Sequence, residues 1–150
     1  MTTIKLTTTI IAPIEIVFDL SRNIDVHKLS TFKSKETTIG GITSGLINKN
    51  ETVTWRGKHF GVFLTHKSLI SEMVIPTYFV DKMLEGKFKS FKHEHSFADK
   101  KGTTIMVDSI YYETPFGIFG KIFDSLFLEK HLTQFIQERN SFIKTLAEEK

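Results

Sequence analysis

A chain of 150 residues without cysteine excludes a disulfide-stapled scaffold and any thiolate metal site. The net charge of +3 comes from scattered lysines and arginines, with no run longer than two, which argues against a nucleic-acid-binding surface. Phenylalanine is unusually frequent, with 14 Phe against one Trp and three Tyr, and this indicates either a large core or an apolar cavity.

The length fits one domain spanning residues 1–150. The first residues, MTTIKLTTTIIAPIEIVF, lack the basic start and long apolar run of a signal peptide. No apolar stretch approaches the 18 or so residues of a membrane-spanning helix. We therefore expect a cytoplasmic protein, and the lack of cysteine fits a reducing compartment.

The beginning of the chain predicts one strand followed by two short helices. Residues 3–12, TIKLTTTIIA, are rich in β-branched side chains that alternate with others, as is typical of a strand. Pro13 is well placed as the first residue of a helix over APIEIVFDLSR. The stretch NIDVHKLS predicts a second short helix.

Residues 33–114 predict strands almost throughout, and with the first strand the total is about seven. The segment ADKKG separates the last two strands as a hairpin loop of four or five residues, in which Ala98 pairs with Thr103. Successive strands at this spacing predict an antiparallel meander.

The C-terminal segment predicts one helix of about 30 residues that starts near Pro115. At 1.5 Å per residue it would be about 45 Å long and would lie across a whole sheet. Its apolar residues recur at spacings of three and four. They are Phe119, Ile122, Phe123, Leu126, Leu132, Phe135, Ile136, Phe142, Ile143 and Leu146.

This order of elements resembles the START/Bet v 1-like (SRPBCC) superfamily over the whole chain. The stretch APIEIVFDL is similar to the superfamily's entry into its first helix. The stretches VTWRGKHFG, P-x-x-F-V-D at 76–81, G-x-F-x-x-F-x-H-x-H-x-F at 86–97, GTTIMVD and TPFGIFG resemble a bacterial subgroup described as cell-division-inhibitor-like or cyclase/dehydrase-like.

The resemblance implies an α+β helix-grip fold. About seven strands would form a curved antiparallel sheet around the long C-terminal helix, with two short helices after strand 1. In the superfamily, the space between sheet and helix is a cavity for sterols, lipids, polyketides or plant hormones. A solid core built from the same residues is the alternative.

The stretch FKHEHSF places His93 and His95 on one face of a strand, since alternate residues share a face. If Ala98 pairs with Thr103, His93 lies opposite Asp108 and His95 opposite Met106. An Asp108 carboxylate there would fix the imidazole tautomer of His93, giving an acid–base pair or a satisfied polar pair. A slip by one residue would move Asp108 to the other face.

Two histidines at i and i+2 on a strand can share a metal ion, but they need a third ligand. Asp108, His59 and His66 are candidates, and no spacing marks any of them. We therefore predict no metal site and no cofactor.

The predicted ligand-binding residues come from successive strands and from the last helix, mostly as large apolar side chains with a few polar groups among them. The strand residues are Trp55, Phe60, Phe63, Phe79, Met83, Phe88, Phe91, His93, His95, Asp108 and Tyr112. The helix residues are Phe119, Ile122, Phe123 and Leu126.

The start of the last helix, FGIFGKIFDSLFL at 116–128, carries more large apolar residues than one buried stripe needs. It could form a flexible portal over the cavity, a membrane-touching or dimerising patch, or an end packed under loops. Contact with a membrane would be transient, and the sequence leaves monomer and homodimer open.

We expect a binding protein for a small or medium hydrophobic ligand rather than an enzyme. A cyclase/dehydratase-type enzyme that uses His93 and Asp108 as its acid–base pair is one alternative. An interaction protein that acts through the apolar start of the last helix is another.

Overall fold

A computed structural model describes residues 1–149. Its strands are β1 (Thr2–Ile10), β2 (Thr37–Gly41), β3 (Thr52–His59), β4 (Val62–Val74), β5 (Tyr78–Glu85), β6 (Ser90–Lys100) and β7 (Thr103–Glu113). Its helices are α1 (Ile14–Ser21), α2 (Ile24–Ser30), α3 (Gly117–Phe123) and α4 (Glu129–Glu148), with a 3-10 turn at Phe32–Ser34. A π-helical segment, Asp124–Leu128, joins α3 to α4.

The seven strands form one antiparallel sheet in the order β1-β7-β6-β5-β4-β3-β2. The two short helices follow β1, and the C-terminal helix packs on the sheet through α4 and the first strand. The helix-grip α+β architecture expected from the sequence is therefore confirmed.

The two short helices begin where the sequence places them. The Asn23 side chain accepts hydrogen bonds from the backbone N–H groups of Asp25 and Val26, at 2.9 and 3.1 Å, and so caps the start of α2. On α1, Val17 and Phe18 are fully buried. The Phe18 ring meets Phe79 and Phe97 edge to face, which fixes the helix against β5 and β6.

The hairpin between β6 and β7 is tighter than predicted. Lys101 and Gly102 form a two-residue turn, and both have positive φ, 55° and 87°, as a type I′ turn requires. The expected pairing of Ala98 with Thr103 is wrong, since Ala98 pairs with Ile105. The register differs by two residues, so every side chain keeps its predicted face while its cross-strand partner changes.

The C-terminal helix begins at Gly117, two residues later than Pro115, because Phe116 has left-handed backbone geometry with φ of 69°. The predicted apolar stripe is divided along its length. Ile136 and Ile143 of α4 are buried, whereas Phe119, Ile122 and Leu126 are exposed.

The π-helical segment is held to the sheet by one buried carboxylate. Asp124 accepts hydrogen bonds from the hydroxyl groups of Tyr112 on β7 and Thr2 on β1. Burial and the adjacent Asp124 raise the pKa of Tyr112, so this phenol remains a donor.

No helix within residues 1–149 is both long and apolar enough to cross a membrane.

Candidate functional site

A cavity of about 700 Å³ lies between the inner face of the sheet and the helices, and its lining is mostly apolar. Its volume falls within the range of pockets that hold drug-sized ligands. Strand β4 shows how the lining arises, because Leu64, His66, Ser68 and Ile70 all point inward from alternate positions.

Most of the predicted apolar residues lie on this lining. The predicted residues that line the cavity are Trp55, Phe60, Phe79, Phe88, Phe91, His93, His95, Phe119 and Phe123.

The other predicted residues lie elsewhere. Phe63 is on the outer face of the sheet, where the Arg56 guanidinium lies 4.2 Å from its ring. Met83 lies against Gly86, whose missing side chain leaves room for the Met83 sulfur. Ile122 and Leu126 point to solvent, 50% and 61% exposed.

Asp108 and Tyr112 are fully buried behind the lining rather than on it. Asp108 supports His93 and His95 from β7, while Tyr112 bonds to Asp124. Asp108 therefore acts on the cavity through the two histidines, whereas Tyr112 holds the π-helical segment.

All six histidines of the chain line the cavity. Of the polar lining residues, His93 and His95 were predicted from the sequence. The others, which the sequence did not indicate as lining residues, include His27, His59, His66, His131, Asp81 and Arg139. Two patterns could have indicated some of these. Asp81 alternates with Phe79 on β5, and His131, Phe135 and Arg139 recur every four residues on α4.

Four residues on adjacent strands form what we call the inner cluster: Asp81, His93, His95 and Asp108. On β5 and β6, Asp81 pairs with His93 and Phe79 with His95, while Asp108 on β7 pairs with His95. The rings of His93 and His95 stack at 3.7 Å, and His95 stacks on Phe79 at 4.0 Å.

The inner cluster is joined by short polar contacts. His93 Nε2 donates to Asp108 Oδ1 at 2.7 Å, and His95 Nε2 donates to Asp81 Oδ2 at 2.8 Å. His93 thus contacts Asp108 as expected, although the register places Asp108 directly opposite His95. The contact between His93 and Asp108 is therefore diagonal across the two strands, whereas we predicted it between directly opposite residues.

Two side chains of helix α4, Arg139 and Asn140, contact the Asp108 carboxylate of this cluster. Asn140 Nδ2 donates to Asp108 Oδ2 at 2.7 Å, and Arg139 Nη1 lies 3.6 Å from Asp108 Oδ1. Arg139 also donates to the Ser21 carbonyl at 3.0 Å and to Asn140 at 2.9 Å. The buried Asp108 carboxylate therefore ties the sheet, α4 and α1 together.

The environment of the cavity keeps several imidazoles neutral. Burial, with the Arg139 charge nearby, lowers the pKa of His27 to about 3. Burial and the neighbouring His93 lower the pKa of His95 to about 4. Burial also lowers the pKa of His66.

The carboxylates of the inner cluster are ionised at neutral pH. Burial raises the pKa of Asp81, but the hydrogen bond from His95 and the neighbouring His93 outweigh it and lower the value to about 2. For Asp108, burial is likewise outweighed by the hydrogen bond from His93 and by the nearby Arg139 guanidinium, so the pKa of Asp108 lies well below its usual range.

A second group, the outer cluster, consists of Glu36, His59 and His131. His59 Nε2 donates to Glu36 Oε1 at 3.0 Å, and His59 Nδ1 lies 2.9 Å from His131 Nε2. Gly57 makes this possible, because any side chain there would collide with the Glu36 carboxylate. Because His59 donates through Nε2 to Glu36, the Nδ1 of a neutral His59 ring accepts the hydrogen bond from His131 Nε2. Burial lowers the pKa of His131.

The mouth of the cavity is defined by residues that line it and yet are exposed: Phe60, Phe116, Phe119 and Phe123, which are 50%, 83%, 78% and 41% exposed. Phe60, in the turn between β3 and β4, contacts Phe123 with a centroid distance of 5.2 Å. The Phe60 ring also lies 4.6 Å from His131, so the outer cluster is next to the mouth.

No protein-family model and no curated protein matches the chain. Solved structures match it over nearly its whole length. TTHA0849 from Thermus thermophilus is 14% identical with a TM-score of 0.72, and the match covers 97% of this chain and 99% of that one.

Two further structures give the same result. Major latex-like protein 151 from Panax ginseng is 16% identical with a TM-score of 0.71 and 97% coverage of both chains. The KanY protein is 13% identical with a TM-score of 0.72, covering 98% of this chain and 97% of that one. At these identities the likeness establishes the fold: the chain has the helix-grip fold of the Bet v 1-like (SRPBCC) proteins.

Proposed function

We propose that this chain is a ligand-binding domain that takes up a small or medium hydrophobic molecule, of lipid, polyketide or isoprenoid type. The observation that carries the proposal is the cavity of about 700 Å³, whose lining is apolar except for a few polar groups, most of them in the inner and outer clusters. Apolar pockets with a few placed polar groups are the usual form of small-molecule sites. The resemblance of the sequence to the cell-division-inhibitor-like and cyclase/dehydrase-like subgroup agrees with this role.

The lining suggests how such a ligand would lie. Its apolar body would contact Trp55, Phe88, Phe91 and Phe135. Its polar group would face the inner cluster, where Asp81, His93 and His95 are the groups on the lining. The ring protons of His93 and His95 are already donated to Asp108 and Asp81, so this wall offers acceptors and favours a hydroxyl group on the ligand over a carbonyl or an anion.

The test is native mass spectrometry of the purified protein after incubation with a lipid extract. We expect one bound molecule per chain, and a quench of the fluorescence of Trp55, the single tryptophan, when that molecule is added back.

Two substitutions on β4 give a matched comparison. Leu64 points into the cavity and Leu69 points to the opposite face of the sheet. Leu64→Trp should fill the cavity and weaken binding by about tenfold or more, whereas Leu69→Trp should leave it within about twofold. Equal affinities for the two variants, or no captured ligand in the wild type, would contradict the proposal.

A second candidate function is a cyclase or dehydratase activity on the bound molecule. It is favoured by the contact of 2.7 Å between His93 Nε2 and Asp108 Oδ1, because His93 lines the cavity and a buried carboxylate orients its ring. The captured molecule should then lose water or change its ring structure during incubation with the wild type. Identical conversion by His93→Gln would remove His93 as the base.

The exposed apolar rim favours a transient contact with membranes during ligand exchange. Phe116, Ile118 and Phe119 are 83%, 68% and 78% exposed, and Lys121 follows on the same helix. We expect ligand to transfer faster to vesicles containing anionic lipid than to neutral vesicles, and Phe119→Ser to remove the difference. A transfer rate independent of vesicle composition would argue against this contact.

A further inference from the structure

The inner cluster, which the polar group of the proposed ligand would face, is also a set of potential metal ligands. Asp81, His93 and His95 each offer one ligand atom, and these atoms lie within 4.8 Å of one another. All three residues also line the cavity. Two imidazoles and one carboxylate make a set that divalent ions such as Zn²⁺ commonly take.

We propose that Asp81, His93 and His95 bind a divalent transition-metal ion at the inner wall of the cavity. Zn²⁺ is the ion that we use to test the proposal. The site would have three protein ligands and an open position toward the cavity. Metal sites that accept a water molecule or a further ligand have this arrangement. The proposal concerns the protein alone and does not depend on the identity of the hydrophobic ligand.

The distances fit such an ion. Asp81 Oδ2 lies 2.8 Å from His95 Nε2 and 3.8 Å from His93 Nδ1. Bonds of about 2.0–2.2 Å in a tetrahedral site put neighbouring ligand atoms about 3.3 Å apart. The two distances lie on either side of this value, and movements of about 0.5 Å would equalise them.

Asp108 prepares His93 for this role. His93 Nε2 donates to Asp108, so the proton of a neutral ring is on Nε2 and the lone pair is on Nδ1, the atom nearer Asp81. A metal-bound imidazole usually donates the N–H of its other ring nitrogen to a carboxylate or a carbonyl group, as His93 would do here.

His95 supplies the independent observation. While its Nε2 donates to Asp81, a neutral ring has no proton left on Nδ1. This Nδ1 is buried and has no hydrogen-bond partner among residues 1–149, and it faces Asp108 Oδ1 at 3.4 Å. Two acceptors facing each other in a buried place are unfavourable.

A metal ion on His95 Nε2 would resolve this conflict. The ring proton would then be on Nδ1, pointing at the Asp108 carboxylate, and each histidine would be a ligand on one side and a donor to Asp108 on the other. The composition of the cluster also favours a cation, because two carboxyl groups, Asp81 and Asp108, lie beside the two rings and one guanidinium, that of Arg139, is nearby.

The test is Zn²⁺ binding to the protein without an affinity tag, by isothermal titration calorimetry, and Co²⁺ binding by visible absorption. We expect one equivalent of each ion, and Co²⁺ bands typical of mixed nitrogen and oxygen ligands. Asp81→Asn and His95→Gln should each weaken Zn²⁺ binding by about tenfold or more. Asp81 is partly exposed, so Asp81→Asn should fold, which circular dichroism checks.

The outer cluster provides the matched control, because it also contains one carboxylate and two histidines. The double variant His59→Gln/His131→Gln should bind Zn²⁺ with wild-type affinity. Binding that is lost in this double variant but kept in Asp81→Asn would overturn the assignment. So would the absence of stoichiometric Zn²⁺ binding by the wild type.

Discussion

The inner and outer clusters have similar members but are built differently. Each combines two histidines with carboxylates in short hydrogen bonds. The inner cluster lies on three adjacent strands, so backbone ladders fix the relative position of its side chains. The outer cluster joins Glu36, just before β2, to His59 at the end of β3 and His131 on α4.

This difference separates two kinds of polar site in one cavity. In the inner cluster, paired strands fix the backbone positions, and ring stacking and hydrogen bonds restrain the side chains, so the geometry is preorganised for a ligand or ion. In the outer cluster, the contact between His59 and His131 depends on how the helix rests on the β3–β4 hairpin. A small movement of the helix would break that contact and widen the mouth.

The largest expected difference concerns stability. Asp108→Ala leaves Arg139 and His93 buried without their carboxylate, so we expect the free energy of unfolding to fall by roughly 3–5 kcal/mol. Glu36→Ala, beside the mouth, should cost about 1 kcal/mol. Urea unfolding followed by circular dichroism measures both.

Asp108→Asn is the control for the inner cluster, because it keeps the shape of the side chain and one acceptor oxygen. Its decrease in the free energy of unfolding should lie between those of Asp108→Ala and Glu36→Ala. Comparable losses for Asp108→Ala and Glu36→Ala would mean that the two clusters are held equally firmly.

The second prediction concerns pH. The pKa of His27 is about 3 and that of His95 about 4 in the folded chain, against about 6.5 in the unfolded chain. Unfolding therefore takes up protons below pH 6.5. Stability is fully present above pH 6.5 and falls as the pH drops toward 4, by about 2 kcal/mol between pH 6.5 and 5.5.

The measurement is a series of urea unfolding curves across this pH range. In His27→Gln, the number of protons taken up on unfolding should fall by about one, because glutamine does not titrate. The stabilisation from Asp81, whose pKa is lowered to about 2, is present above its unfolded pKa of 3.8 and is lost as the pH falls from there toward 2, so it does not mask this effect. A stability that is flat from pH 7 to 5 would refute the buried neutral state of His27 and His95.

The third prediction addresses the outer cluster alone. His131→Gln removes the partner of His59 Nδ1, and we expect a loss of about 1 kcal/mol because water can replace the contact near the mouth. Ligand release should become faster, since the helix is no longer tied to the hairpin. Stopped-flow displacement measures the release rate, and an unchanged rate would separate the outer cluster from opening of the mouth.

The smallest expected effect is at the mouth itself. Phe119 is 78% exposed, so Phe119→Ser should change the free energy of unfolding by less than about 0.5 kcal/mol. Phe79→Ala, at a ring that is 2% exposed beside the inner cluster, is the contrast and should cost about 3–5 kcal/mol. A large loss for Phe119→Ser would show that the rim is packed against something in the folded protein.

The sequence was sufficient for the architecture, because alternation and helical spacing are local signals that the strands and the last helix obey. It was also sufficient for the shared face of His93 and His95. It failed on the register between β6 and β7, which a two-residue turn at Lys101 and Gly102 determines. Lysine is not a usual residue at the first position of such a turn, so the loop was predicted too long.

The site could be predicted only in part, for a physical reason. Asp81 and Arg139 reach the inner cluster from β5 and α4, which are distant in sequence, and tertiary packing alone brings them together. Phe119, Ile122 and Leu126 are likewise exposed because of the position that α3 and the π-helical segment take relative to the sheet, which local sequence does not determine. Helical spacing identifies a common face but does not tell whether that face is covered.

The placement of every histidine on the cavity wall has a practical consequence for spectroscopy. The chain has six imidazoles, and none of them contributes a signal from elsewhere on the surface. A nitrogen-15 NMR spectrum of the histidine rings is therefore a map of the cavity wall, free of background. Each resonance also reports its own tautomer, so occupancy of the space, and of each cluster separately, can be followed atom by atom in solution.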